Sequence, residues 1–160
     1  MATNNVINNN YTAQPCFYVT LGSNAASVTG DGFSYTVLFS TIVLDTAGAY
    51  NATTGNYVTS AGTWLFGYGI QYQPGSAGGT SVNSRFHAPG VVNNVYQKLF
   101  PTYLACTNFS GESSKLSLYG EFICQCPASL DVAVQVQASG GSRVDTLWYP
   151  NTYFYGYKLH

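Results

Sequence analysis

The side chains able to do chemistry in this 160-residue chain are few. Its six carboxylates, Asp31, Asp45, Glu112, Glu121, Asp131 and Asp145, share no motif. Glycoside hydrolysis needs two of them facing each other across a cleft, and the sequence singles out no such pair. There are two histidines. His160 is terminal and reads as solvated. His87, in SRFHAPG, has neither a G-x-S-x-G serine nor an identifiable acid partner, so it reads as a loop residue outside catalysis. Of the four cysteines, Cys124 and Cys126 sit two apart in a strand-like run and share a face. No further Cys or His stands near enough to complete a zinc site. Cys16, Cys106, Cys124 and Cys126 read as small buried hydrophobes, with a Cys16–Cys106 or Cys16–Cys126 disulfide as the alternative. The sequence therefore implies no enzyme, catalytic residue, cofactor or metal.

Binding chemistry is better represented. Trp148-Tyr149-Pro150-Asn151 places two aromatics in a turn before the last strand. Such a pair can stack on a sugar or grip a protein, or it can plug one end of a sandwich. QPGSAGGTSVNSR, after Tyr72, reads as a Gly/Ser-rich binding loop or an ordinary hairpin tip. With the 108–114 turn these are the candidate recognition loops, and Trp148, Tyr149, Asn151, Arg85 and Asn83 are the candidate ligand-binding residues.

Composition limits the partners. Charged residues make up 7% of the chain, against about 25% in ordinary domains. The net charge is −1, and the five basic residues are scattered rather than striped. Nucleic acid and anionic membrane are thus poor partners. No apolar run reaches the roughly 20 residues of a membrane helix, which argues against membrane insertion. The first residues lack the charged and apolar regions of a signal peptide. Residues 1–13 read as an Asn-rich arm or linker, and 14–160 as one domain with a real core.

The elements that must hold these residues are strands. Val37–Leu44 is a β-branched apolar run and reads as a buried strand. Asp45–Gly55 reads as connection, with Thr54-Gly55-Asn56 as turn chemistry. In the next strand Trp64, Phe66, Tyr68, Ile70 and Tyr72 share one bulky face. Gly67, Gly69 and Gln71 leave the other bare enough for close approach of a backbone. Gly22–Gly32 reads as a loop, and strands between Phe86 and Pro101 should be short and interrupted. Leu116–Gln125 ends at Pro127. In Asp131–Gln137, Val132, Val134 and Val136 point inward while Ala133, Gln135 and Gln137 point out. In the closing strand, Tyr153, Tyr155, Tyr157 and Leu159 alternate with Phe154, Gly156 and Lys158. No helical stripe with caps exists, so the chain is an all-β sandwich or barrel.

The spacing of Phe39, Asp45, Tyr50, Tyr57, Gly62, Trp64, Phe66 and Tyr68 resembles the signature of the complement C1q globular head, the family that shares its fold with tumour necrosis factor (TNF). Tyr57 stands where Phe is usual and Trp64 where Tyr is usual. The gap before Gly62 is one residue short and lacks the usual Pro. The closing Phe154–Leu159 strand and SLDVAVQVQASGG are also similar to the family, with Leu130 where Gly is common. The resemblance runs from Gln14 to His160 and is weakest between Gln73 and Asn108.

It implies an antiparallel, ten-stranded jelly-roll sandwich that assembles as a homotrimer, with Asp45 and Asp131 fixing turns. Calcium near a trimer apex is compatible with the family, but no D-x-D-x-D spacing supports it here. More large aromatic faces exist than one core should hold, and an interface is the natural place for the surplus. Tyr153, Tyr155, Tyr157 and Tyr68 are the interface candidates. The expected function is a non-enzymatic attachment head at the tip of a fibre or virion protein, virion-borne or extracellular, that binds a surface protein or glycan receptor. The alternative is a structural trimerisation or capping module of a capsid, fibre or collagen-like stalk.

Overall fold

The structure is a computed structural model that describes residues 13–75, 81–88, 106–107, 115–143 and 145–160. Among these residues every regular element is a strand: β1 Cys16–Thr20, β2 Ala25–Thr29, β3 Ser34–Thr36, β4 Thr41–Asp45, β5 Tyr50–Asn51, β6 Asn56–Val58, β7 Gly62–Gln73, β8 Ser81–His87, β9 Cys106–Thr107, β10 Leu116–Cys126, β11 Asp131–Ser139, β12 Asp145–Leu147 and β13 Tyr153–Lys158. All pairings are antiparallel. The segments outnumber the expected ten because long strands pair with broken ones. β13 and β12 share one edge of β7, and β6 and β3 share one edge of β11.

Two sheets result. The first runs β4-β1-β13-β7-β10, with β12 and β2 continuing past the start of β13. The second runs β5-β6-β11-β8-β9, with β3 also on β11. The core between them is aromatic. Phe66 stacks on Trp64 and Phe122 with centroids 5.5 and 5.6 Å apart. Phe86 of the second sheet meets Tyr68 and Phe122 edge-on at 4.7 and 4.4 Å. Phe17 lies 4.0 Å from Tyr57. Offset and edge-on geometry lets these rings fill space without opposing their electron-rich faces.

Much of the strand reading holds. Trp64, Phe66, Tyr68, Ile70 and Tyr72 are all buried, as are Val132, Val134 and Val136. Gly55 takes a φ of 74° in the β5–β6 turn, where Asn51 Oδ1 accepts from the Thr53 and Thr54 amides. Asp45 accepts from the Ala47 and Tyr50 amides, which fixes the turn after β4.

Other expectations are corrected. Val37–Leu44 is not one buried strand. Val37 and Phe39 are buried without being in a strand, and β4 follows as an exposed edge, with Val43 60% accessible. Among the described strands β4 pairs with β1 alone, so none of them covers its other edge. The Gly22–Gly32 loop contains β2, which is recruited by pairing with β12. Asn83, Arg85 and His87 lie on β8, whose side chains alternate between core and surface. Ala133 is buried although it faces away from the valines. Cys16, Cys124 and Cys126 are free thiols, so neither disulfide involving Cys16 forms. Cys16 pairs with Tyr157 on the outward side, while Cys126 faces the core three strands away. Residues 1–12, 89–105 and 108–114, including the expected arm and one candidate loop, lie outside the described residues.

Candidate functional site

Two surfaces merit attention: the outward face of the first sheet, and the end of the sandwich that carries the Trp148–Asn151 turn.

Side chains directly opposite one another in antiparallel strands share a face, so the registers define the rows on the first sheet. One row reads Thr20, Tyr153, Gly69, Tyr119. The next reads Leu44, Tyr18, Tyr155, Gly67, Glu121. The third reads Cys16, Tyr157, Leu65, Ile123. The opposite side of these strands carries the core residues Phe17, Val19, Phe66, Tyr68, Phe122 and Phe154. The outward face is therefore a field of tyrosines and aliphatics, and Glu121 is the one charged side chain in these rows. Tyr119 is 57% accessible, Ile123 60% and Tyr157 42%.

The bare side of β7 is occupied within the chain, by rings rather than by an approaching backbone. A Cβ on Gly67 would fall within the Tyr155 ring, and one on Gly69 would lie 2.6 Å from Tyr153 Cε1. The two glycines thus let the β13 tyrosines lie flat across β7. Tyr18 stacks near Tyr153 at 5.9 Å, and Tyr153 near Tyr155 at 6.2 Å. Tyr155 Oη donates to Glu121 Oε1 at 2.6 Å. Burial first, and then this bond to an anion, raise the Tyr155 phenol above its ordinary value. Tyr68 does not belong to this face. It points inward, 3% accessible, and its hydroxyl pairs with Ser84 Oγ at 2.9 Å inside the core.

The other surface lies opposite the chain ends. The Thr63 amide donates to His160 O at 2.8 Å and the Lys158 amide to Pro15 O at 2.9 Å, which gathers both described ends at one pole. The Trp148–Asn151 turn, with its cis Tyr149–Pro150 bond, sits at the other pole. Gly75, Ser81, Thr107 and Lys115, which flank the other two candidate loops, end strands at that same pole. The turn is pinned by its backbone: the Trp148 amide donates to Gln71 O at 2.8 Å, and the Tyr149 amide to Asn24 Oδ1 at 2.8 Å. Asn151 Nδ2 donates to Gln71 Oε1 at 3.1 Å.

Trp148 is half-buried, with Lys115 Nζ 3.5 Å from its ring centroid and a buried indole N–H that finds no hydrogen-bond partner among the described residues. One ring face is thus covered by a cation. Tyr149, 47% accessible, is the outward aromatic.

Arg85 and Asn83 stand apart from this turn, on the outward side of the second sheet. Arg85 Nε and a terminal guanidinium nitrogen donate to Gln135 Oε1 at 3.1 and 2.8 Å, and the latter nitrogen also donates to Ser34 Oγ at 3.3 Å. That guanidinium is committed to the sheet. His87, further along β8, is held below its ordinary pKa by burial and by the Arg85 charge.

Asp31 and Asp145 are likewise engaged in structure. Asp31 pairs with Arg143 at 3.0 Å. Buried Asp145 accepts from Tyr72 Oη and from the Gly75 amide. Among the described residues no three His, Cys, Asp or Glu side chains are grouped to hold a metal ion. None of their helices is long and apolar enough to cross a membrane.

No protein-family model and no curated protein matches this sequence. Solved structures do. The globular domain of zebrafish complement 1qA protein is similar at a TM-score of 0.59 and 15% identity, covering 92% of this chain and 98% of that one. Eiger TNF from S. frugiperda is similar at 0.58 and 16%, covering 91% of each chain. Murine APRIL is similar at 0.57 and 12%, covering 91% of this chain and 99% of that one. The chain has the C1q/TNF-like jelly-roll fold.

Proposed function

We propose that this chain is a non-enzymatic ligand-binding head that works as a cyclic homotrimer. The observation that carries this reading is the outward face of the first sheet. Its tyrosine and aliphatic rows end on apolar β4 at one side and on Tyr119 and Ile123 of β10 at the other. A second copy is the occupant that suits it. The face is nearly uncharged, so it offers no complement to a charged partner. Its two ends differ, so a contact between β4 of one copy and β10 of the next is head-to-tail, and such contacts close into a ring where the rotation between copies is a whole fraction of a turn. Large apolar patches of this kind mark interaction surfaces.

Assembly through this face leaves the pole with the Trp148–Asn151 turn free, away from Pro15 and His160. Recognition belongs there, on Tyr149 and Asn151, supported from behind by Trp148. A surface glycan or protein receptor suits the neutral, aromatic chemistry. An extracellular or virion-borne fibre tip agrees with the low charge and the Asn-rich lead-in of the sequence.

The test is binding to glycan arrays and to intact cells by the wild type, Tyr149→Ala and Trp148→Ala. Tyr149→Ala should weaken binding by a hot-spot amount, about 2 kcal/mol, with an unchanged melting temperature. Trp148→Ala should lower the melting temperature as well. Binding that survives Tyr149→Ala intact removes this pole as the recognition site.

A further inference from the structure

Cys124 and Cys126 form a close dithiol inside the sandwich, and nothing in the proposed binding function uses it. Their Sγ atoms are 3.2 Å apart, closer than the roughly 3.6 Å of two sulfur van der Waals radii. Both are buried, at 8% and 2% accessibility. They face the core from the end of β10, opposite Trp64 and Gly62 of β7. β10 pairs with β7 alone among the described strands, and Pro127 stops it one residue after Cys126. The dithiol therefore sits in the last residues of β10, where fraying from the strand end costs least even when the strand's edge is covered.

We propose that Cys124 and Cys126 are a redox-active pair that closes into an intrastrand disulfide by exchange with a small-molecule disulfide such as glutathione disulfide. Two residues of strand span about 6.6 Å between Cα atoms, the upper end of the range that disulfides bridge. Closure therefore needs only a slight shortening of β10 together with approach of two sulfurs already in contact. Side chains two apart on a strand stand parallel, yet here the two sulfurs converge into contact.

The two thiols are not equivalent. The hydrogen bond from Cys124 holds Cys126 below the ordinary thiol value, and the same bond, with burial, raises Cys124. Cys126, the last residue of β10 and next to Pro127, is therefore placed as the attacking thiol.

The chemistry balances in two exchanges. Cys126 Sγ⁻ attacks one sulfur of glutathione disulfide, forming a protein–glutathione disulfide and expelling a glutathione thiolate. That thiolate takes up a proton, and Cys124 Sγ–H gives its proton to solvent as it becomes the second nucleophile. Cys124 Sγ⁻ then attacks Cys126 Sγ, forming the protein disulfide and expelling the second glutathione thiolate. The protein loses two protons and two electrons, and one glutathione disulfide takes them up to become two glutathiones.

The experiment incubates folded protein in glutathione buffers of graded oxidation, quenches in acid, alkylates, and maps the thiols by peptide mass. The wild type should lose two hydrogens and two alkylation sites, both in the tryptic segment after Lys115. Cys124→Ser, lacking the second nucleophile, should accumulate one glutathione on Cys126. Cys126→Ser should react at least about tenfold more slowly, since the thiol that remains, Cys124, is still held up by burial and lacks its partner. Circular dichroism checks that each variant is folded, and phenylarsine oxide, which bridges close dithiols, should protect the wild type from glutathione disulfide. The proposal is overturned if folded wild type keeps both thiols alkylatable in fully oxidised glutathione, or if glutathione accumulates on Cys124 instead.

Discussion

Tyrosine does two different jobs in this chain, and residue-level chemistry separates them. Tyr50, Tyr57 and Tyr72 are core rings whose phenols are raised above the ordinary value near 10, in each case chiefly by burial. For Tyr72 the Asp145 carboxylate that accepts its O–H adds to the rise. Unfolded tyrosines ionise near pH 10 while these hold their protons, so unfolding releases protons in alkali. Their contribution to stability is full below pH 10 and declines as pH climbs from 10 towards the folded values. Melting temperature should therefore be flat from pH 7 to 9 and fall beyond 10. Tyrosine absorbance at 295 nm should show a fraction that titrates only on unfolding. Tyr153 and Tyr155 do the second job, lying across Gly69 and Gly67 on the open face. Gly67→Ala should displace the Tyr155 ring and break its bond to Glu121, costing about 1–3 kcal/mol of stability. Urea denaturation of Gly67→Ala beside Tyr155→Phe measures this, and a Gly67→Ala midpoint equal to the wild type would contradict the packing described.

At the scale of elements, β11 is the best-specified strand. Val132, Val134 and Val136 are fully buried against the first sheet. Val134→Ala should cost about 1–3 kcal/mol by lost burial and cavity formation, read as a shift in denaturation midpoint at constant slope. This strand, β7, β10 and β13 were legible in the sequence because each alternates large apolar with small or polar residues over many positions. β2 and β8 were not. β2 is built of small residues, and β8 interleaves Val82, Ser84 and Phe86 with polar neighbours in a stretch that looks like a loop. Their strand character comes from partners distant in sequence, β12 and β11. β4 misled in the opposite direction. Its β-branched composition signals a strand, but nothing local reveals that it is an edge whose apolar side chains face out. The Trp148–Asn151 turn was legible as a turn. The different exposure of Trp148 and Tyr149 was not, because it depends on Lys115, which reaches the indole from a position 33 residues earlier.

For the whole molecule, the two sheets differ in what they show to solvent. The second presents Asn83, Arg85, Gln135 and Gln137, with Arg85 tied to Gln135. In its central rows the first presents tyrosines, aliphatics and a single carboxylate, with Gln71, Ser117, Thr63 and Gln125 at its two ends. With so few charges, neither assembly nor recognition should depend strongly on electrostatic steering, and both should change little between low and moderate salt. The open face is the feature on which the functional reading turns. The most direct test is the solution mass of wild type and Ile123→Glu by light scattering at micromolar concentration. Wild type should have a mass of about 52 kDa, three times the 17.2 kDa chain. Ile123→Glu, which puts a charge into the apolar end of the face, should be a folded monomer. A wild type that runs as a 17.2 kDa monomer, or a trimer indifferent to Ile123→Glu, would contradict assembly through this face.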